Sequence, residues 1–361
     1  MAPAHARDLL RALAAEGRFT GTPALDRARA LCAERLTSLG FTVRELPFRY
    51  SVLPARFGLP AVGLWSSLWL TWGMRLQSAG ASVASAAVVG AGFAGLAALI
   101  HWLTSRRPLV LGFATRAGVN LEATRGGEPR VWMVAQLDSK SQRLPLALRA
   151  LGATLTGADW LAGGVTAALG LGAAPWWSVG LVLTPAFAGA LLLLFSAAGN
   201  DSPGAADNAS GVAAVLRAAE LVEASTPLGV LITDAEERGL AGAHAWAAGR
   251  APGTAVNCDT IDDRGAVMLL WSGQPPGHLV TAMDRAARRA GVACRARRLP
   301  VGVLTDGVAL ARAGWECATL SRATVGTLAR IHTRRDAVER MEGSGVESAA
   351  LLLAAMAREM C

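Results

Sequence analysis

Apolar residues follow two regimes along the chain. In two blocks, about 57–103 and 146–198, they run almost unbroken; elsewhere they recur with the periods of helices and strands. Each block can hold two crossings of about 20 residues, expected near 57–74, 80–103, 148–171 and 176–198. Gly73-Met74-Arg75 with Gln77-Ser78 separates the first pair, and Ala174-Pro175 the second. Trp65, Trp69, Trp72, Trp102, Trp160, Trp176 and Trp177 include several near the expected ends, as an interfacial aromatic belt requires. Gly80, Ala84, Gly90 and Ala94 suit close helix approach in lipid. The alternative for these blocks is a pair of buried helical hairpins in a soluble protein.

The remainder alternates helix and strand. Leu9, Leu10 and Leu13 form one face of a short amphipathic helix, which is not the profile of a signal peptide. Thr22-Pro23 opens a helix carrying Leu25, Ala28, Leu31 and Leu36 and ending at Gly40. Strands are expected at 41–50, 110–113, 118–123, 131–137, 229–233 and 255–261, and helices at 210–225, 239–248 and 345–360. Such alternation predicts an α/β fold with a mixed central sheet flanked by helices. The expected parts are a discontinuous α/β domain (1–55, 105–145 and 199–361), a first transmembrane hairpin (56–104) and a second (146–198), four spans in all.

Composition and charge refine this picture. The chain is 52% hydrophobic and 17% charged, against about 25% charged in an ordinary soluble domain. Two inserted hairpins account for the difference. The net charge is +8, but no basic run alternates with aromatics, so nucleic acid is not an expected partner. Arg56, Arg106, Arg107, Arg143 and Arg149 flank the spans on the side of the α/β domain, and only Arg75 lies in a hairpin loop on the other side. The positive-inside rule then places that domain on the cytoplasmic face of a bacterial-type inner membrane. The five cysteines form no CxxC pair, which argues against a disulfide framework or a cysteine-bound zinc. The single lysine, Lys140, and the single tyrosine, Tyr50, are attributed to genome composition.

In so weakly charged a chain the clustered carboxylates stand out. Asp207-Asn208 falls at a glycine-rich turn, Glu236-Glu237 follows an apolar strand, Asp259 ends another, and His332 follows Leu328-Ala329-Arg330-Ile331. Carboxylates and an imidazole on one sheet edge suit a divalent metal such as zinc, with a further carboxylate to activate water. Singly, each has a plain reading: Asp207 as a helix cap, the Glu pair as a solvated helix start, His332 as a structural histidine.

Their order carries a resemblance. Pro203-Gly204-Ala205-Ala206-Asp207-Asn208-Ala209-Ser210-Gly211 resembles the PGAxDNxSG motif of the M28 family of zinc aminopeptidases. Glu236-Glu237-Arg238-Gly239-Leu240-Ala241-Gly242 resembles its EExGLxGS motif, and Asn257-Cys258-Asp259 its N-x-D strand. Thr305-Asp306-Gly307 stands where the family has S-D-H. Ile331-His332-Thr333 with Asp336 resembles Y-H-T-x-x-D, and Gly118-Val119-Asn120-Leu121-Glu122-Ala123 resembles G-x-N-L-I-A. The resemblance implies that Asp207 bridges two zinc ions, that Glu237 and His332 complete one site and that Asp259 belongs to the other. It implies Glu236 as the general base for water attack on the amide bond beside a free amino terminus, in a peptide or small amide.

The family's H-x-D motif is altered. Gln136 replaces its histidine while Asp138 remains, so Gln136 stands at that metal-ligand position. Asp138, expected to orient that histidine, is left without its partner. Among the other histidines, only His244 is a conceivable substitute ligand. The expected protein is a membrane-bound metallo-aminopeptidase using one or two zinc ions. The alternative is a catalytically degenerate homologue acting as a membrane binding or regulatory protein.

Overall fold

A computed structural model describes residues 2–105, 114–168, 176–300 and 302–361. The chain divides into two compact units. One comprises Met1–Val52, Pro108–Ser141 and Gly199–Cys361; the other comprises Leu53–Arg107 and Gln142–Ala198.

The first unit is built on eight strands: β1 (Thr42–Ser51), β2 (Thr115–Arg125), β3 (Val131–Gln136), β6 (Leu228–Thr233), β7 (Thr254–Ile261), β8 (Ala266–Trp271), β9 (Cys294–Arg298) and β10 (Glu316–Ala323). A separate two-stranded ladder pairs β4 (Ser141–Gln142) with β5 (Ala198–Gly199). The main sheet runs β1-β2-β6-β3-β7-β10-β8-β9. Its four central strands, β6, β3, β7 and β10, are parallel. The β1–β2, β2–β6 and β10–β8 pairs are antiparallel, so the sheet is mixed.

Alternation along the central strands separates two cores, as the pleat requires. Val131, Met133 and Ala135 of β3, with Leu228, Val230 and Ile232 of β6, face the larger core. That core also takes residues from α1 (Ala2–Leu13), α2 (Pro23–Ser38), α7 (Ser210–Leu221), α9 (Gly277–Ala290) and α12 (Ser344–Met360). Trp132, Val134 and Leu231 face the other side, with Trp246 of α8 (Ala241–Ala247) and Leu310 of α10 (Asp306–Arg312). There Trp246 contacts Trp132 and Trp315, each at 4.8 Å between ring centroids. Gly229 is needed inside β6 because a Cβ would lie 2.4 Å from the Trp132 ring. The expected strands and helices of this unit occur with shifted ends. The strand expected at 110–113 lies outside the described residues.

The second unit holds α3 (Leu53–Ser78), α4 (Ser82–Ser105), α5 (Leu146–Ala168) and α6 (Trp176–Leu194). Four spans were expected. Among the described residues one helix, α4 over Ser82–His101, is long and apolar enough to cross a membrane by length and composition. The apolar run of α3 is diluted by Trp65, Ser66, Ser67, Trp69 and Trp72, and that of α5 by Arg149, Asp159 and several glycines. Trp160 is not in an interfacial belt: it is buried, and its Nε1 donates to Ser66 Oγ at 2.9 Å. Trp65 and Trp69 lie against α4. Trp65 donates to the Gly92 carbonyl at 2.9 Å, and a Cβ on Gly92 would meet Trp69 at 2.8 Å. The side chains of Trp102, Trp176 and Trp177 lie outside the described residues.

Candidate metal centre

The parallel strands end together on one edge of the sheet, the edge at which open α/β sheets bind ligands. β3 delivers Gln136 there and the following loop adds Asp138 and Lys140. The turn after β6 carries Glu236 and Glu237, and Asp259 sits near the end of β7. Asp306 opens α10, and His332 follows α11 (Val325–Arg330). Asp207 lies on the irregular turn Ala205–Ala209 that leads into α7. Ala235, Thr260 and His332 have φ of 57°, 56° and 61°. Left-handed backbone at non-glycine residues persists only where the surroundings over-determine it.

Asp207, Glu237 and His332 converge. His332 Nε2 lies 2.8 Å from Asp207 Oδ2 and 3.2 Å from Glu237 Oε1. One donor atom from each of the three falls within 4.8 Å of the others. Four-coordinate zinc holds N and O donors at about 2.0–2.2 Å, hence about 3.3 Å apart. Glu237 Oε1 and His332 Nδ1 are buried without a hydrogen-bond partner. Donor type, spacing and the unspent oxygen fit one zinc ion. Asp259 is buried close to Asp207 but does not join the trio among the described residues. Its Oδ1 accepts from the Thr260 hydroxyl at 2.9 Å. His244, on α8, is not in the trio either.

Gln136 behaves as a donor. Its Nε2 points to Asp207 Oδ1 at 3.3 Å, and its Oε1 is buried and unpaired. Asp138, expected to lack a histidine to orient, takes backbone partners. Its Oδ1 accepts the backbone N–H of Glu236 at 2.9 Å and its Oδ2 that of Glu237 at 3.2 Å. The Thr20 hydroxyl adds a third bond at 3.1 Å. Lys140 forms an ion pair with Glu237 Oε2.

Three further residues hold the loops. Arg18 is fully buried and binds the carbonyls of Leu137 (2.9 Å), Leu13 (2.6 Å), Pro203 (2.7 Å) and Gly204 (3.0 Å), joining the β3 loop to the Asp207 turn. Asp336 accepts the N–H groups of Ala206 (2.8 Å) and Asp207 (3.1 Å). Asn208 accepts from Gly211 N and Thr260 N and donates to the Cys258 carbonyl. Gly307 stands where a histidine was the family's pattern. A Cβ there would lie 2.5 Å from Thr319 Oγ1, so any side chain at this position requires Thr319 to shift. Asp306 beside it accepts from the Thr233 hydroxyl.

Burial dominates the electrostatics. It raises Glu236 well above the carboxylate range, helped by the charges of Glu237, Asp306 and Asp259 and opposed by Lys140. It also raises Asp138 and Asp259, and lifts Asp306 to about 7. Glu237 differs: burial works upward, but Lys140 and His332 prevail and hold it at about 2. On His332, burial and Lys140 work downward, while Glu237 and Asp207 prevail and raise it to about 9. The residues that sequence reasoning missed are Arg18, Thr20 and Lys140. Only Lys140 carried a signal, its uniqueness.

Residues 191–357 match the model of peptidase family M28. The matched segment contains Asp207, Glu236, Glu237, Asp259, Asp306 and His332, and omits Gln136, Asp138 and Lys140. The fold is similar to that of an aminopeptidase from Aneurinibacillus sp. strain AM-1, at 13% identity and a TM-score of 0.58, over 98% of this chain and 92% of that one. A zinc aminopeptidase from Bacillus subtilis is similar at 13% identity and a TM-score of 0.58, over 99% and 94%. The Porphyromonas gingivalis glutaminyl cyclase is similar at 12% identity and a TM-score of 0.56, over 99% and 98%. At these identities the likeness is one of fold. No curated protein sequence matches the chain. The match over residues 191–357 supports a peptidase-type hydrolase.

Proposed function

We propose that the chain is a membrane-bound metallo-aminopeptidase that hydrolyses the amide bond beside a free amino terminus. The observation that carries this is the convergence of Asp207, Glu237 and His332 next to the buried carboxyl of Glu236. Asp207, Glu237 and His332 would hold zinc, which when bound polarises the scissile carbonyl and acidifies water. Glu236 takes the proton of the attacking water and returns it to the leaving amine. Burial raises its pKa, which makes the carboxylate a stronger base toward that proton. Asp138 fixes the Glu236 backbone and so aims that carboxyl. Asp259, outside the trio, leaves a carboxylate for the α-ammonium group of a peptide or small amide substrate.

Membrane attachment is supported by α4 and by the exposed Leu64, Leu68, Phe93, Leu161, Phe187 and Leu191 of the helical unit. Such apolar exposure is unfavourable in water. The arginine distribution supports a cytoplasmic face for the peptidase unit.

Gln136 favours a second reading, a homologue that keeps the fold and binds at the membrane without turnover. The test is release of free amino acid from unblocked peptides by detergent-solubilised protein reconstituted with zinc. Activity lost about 10²–10⁴-fold in Glu236→Gln supports the peptidase. No turnover on any unblocked peptide sinks it in favour of the second reading. Glutaminyl cyclases share the fold, so a glutaminyl peptide belongs in the panel: ammonia without free amino acid would assign cyclisation instead.

A further inference from the structure

The chain has 35 lysines and arginines, and Lys140 is the single lysine. It is also the cation at the centre of the site. Its ammonium meets Glu237 Oε2, and that glutamate's side chain is only 5% exposed. A compact ammonium can enter where a planar guanidinium cannot, and arginine is the chain's choice elsewhere.

The bridging role expected of Asp207 needs both of its oxygens. Oδ2 faces His332 Nε2 at 2.8 Å, but Oδ1 is taken by the Gln136 amide donor at 3.3 Å. The Gln136 carbonyl oxygen remains unpaired, and Asp259 stays out of the trio. The site therefore has donors gathered for one ion, while the charge of a second must come from elsewhere.

We propose that this centre binds one zinc ion through Asp207, Glu237 and His332. The Lys140 ammonium, held on the other oxygen of Glu237, and the Gln136 amide on Asp207 Oδ1 replace the second ion. The proposal rests on zinc binding at the trio, and adds a stoichiometry and two positioning residues. Lys140 keeps Glu237 monodentate and balances the surrounding carboxylates. Gln136 occupies the oxygen that would otherwise bridge. Either residue alone blocks the second ion, because a histidine at 136 still meets the ammonium and a neutral residue at 140 still leaves the amide.

The full chain in detergent, stripped and reloaded with zinc, tests this by elemental analysis after desalting. One ion per chain is expected in the wild type, in Gln136→His and in Lys140→Met, and two in the double variant Gln136→His/Lys140→Met. Two ions in the wild type, or in Gln136→His alone, would overturn the proposal and leave the peptidase reading intact. A double variant that melts like the wild type and still holds one ion would also overturn it. No ion in any variant removes both readings. Cobalt-loaded wild type gives a check that needs no variant: electron paramagnetic resonance should show an uncoupled high-spin centre, whereas a spin-coupled pair overturns the proposal.

Discussion

The carboxylate of Asp138 accepts the backbone N–H of Glu236 at 2.9 Å, and its second oxygen that of Glu237 at 3.2 Å. One side chain thus fixes the turn that presents both glutamates. Asp138→Ala removes the acceptor of three donors, two backbone N–H groups and the Thr20 hydroxyl, at about 1–3 kcal/mol for each left buried and unpaired. Urea denaturation should show that loss, together with weaker zinc binding. Asp138→Asn, which can still accept one of the two bonds, should lose less of both.

Arg18 is the connector between the β3 loop and the Asp207 turn. Arg18→Met would strand the carbonyls of Leu13, Leu137, Pro203 and Gly204. Charge-assisted bonds contribute about 1.5–3 kcal/mol each, so a loss above about 3 kcal/mol is expected. Zinc affinity should fall as well, although the hydrogen bonds of Arg18 go to carbonyls and not to Asp207, Glu237 or His332. A melting curve beside a zinc titration checks both. An unchanged affinity in a folded variant would refute the connecting role.

Gly211 lies under the metal turn. A Cβ would sit 2.3 Å from Asn208 Oδ1 and 2.3 Å from the Cys258 carbonyl. Gly211→Ala must push Asn208 off its bonds to Thr260 and Cys258, at about 1–3 kcal/mol for overpacking. Gly277, with nothing near its Cβ position, is the control: Gly277→Ala should fall within about 0.5 kcal/mol of wild type. Paired denaturation curves distinguish them.

The pH dependence of metal uptake follows from His332. Without metal its imidazole is held protonated up to about 9 by Glu237 and Asp207. A cation must displace that proton, since a ligating imidazole is neutral. Below about 9, binding therefore releases one proton from His332, and affinity should rise roughly tenfold per pH unit. Above about 9 the slope should flatten. Glu237, held at about 2, is already ionised and adds no slope near neutrality. Isothermal titration in buffers of different ionisation enthalpy counts the proton; a flat profile between pH 6 and 8 would contradict the assignment.

The legible part of this protein was the part written in local pattern. The short apolar runs at 131–137 and 229–233 predicted two strands, and both lie at the middle of the sheet. The order of polar motifs pointed to Asp207, Glu237 and His332, which meet in space although far apart in sequence. The bonds of Asp138 were not legible because they come from backbone N–H groups, which no residue type announces. Arg18 was invisible for the same reason: its partners are carbonyls. Lys140 was visible only as a rarity, and its meaning required seeing Glu237 beside it. The four spans were read from unbroken apolar stretches, but tryptophan, serine and glycine in α3 and α5 fill helix contacts rather than adding hydropathy.

The strand order has a consequence for synthesis. In the sheet β3 lies between β6 and β7, yet β6 begins only at Leu228, after the helices α5 and α6. A nascent chain that stops short of Leu228 carries β1 and β2, which pair with each other, and an orphan β3 whose six residues are all destined for burial. Long-range strand pairing of this kind is slow and leaves sticky intermediates exposed. The helical segments are complete while the centre of the main sheet still waits for its neighbours. Gln136, Asp138 and Lys140, all at the end of that waiting strand, are made early and positioned last.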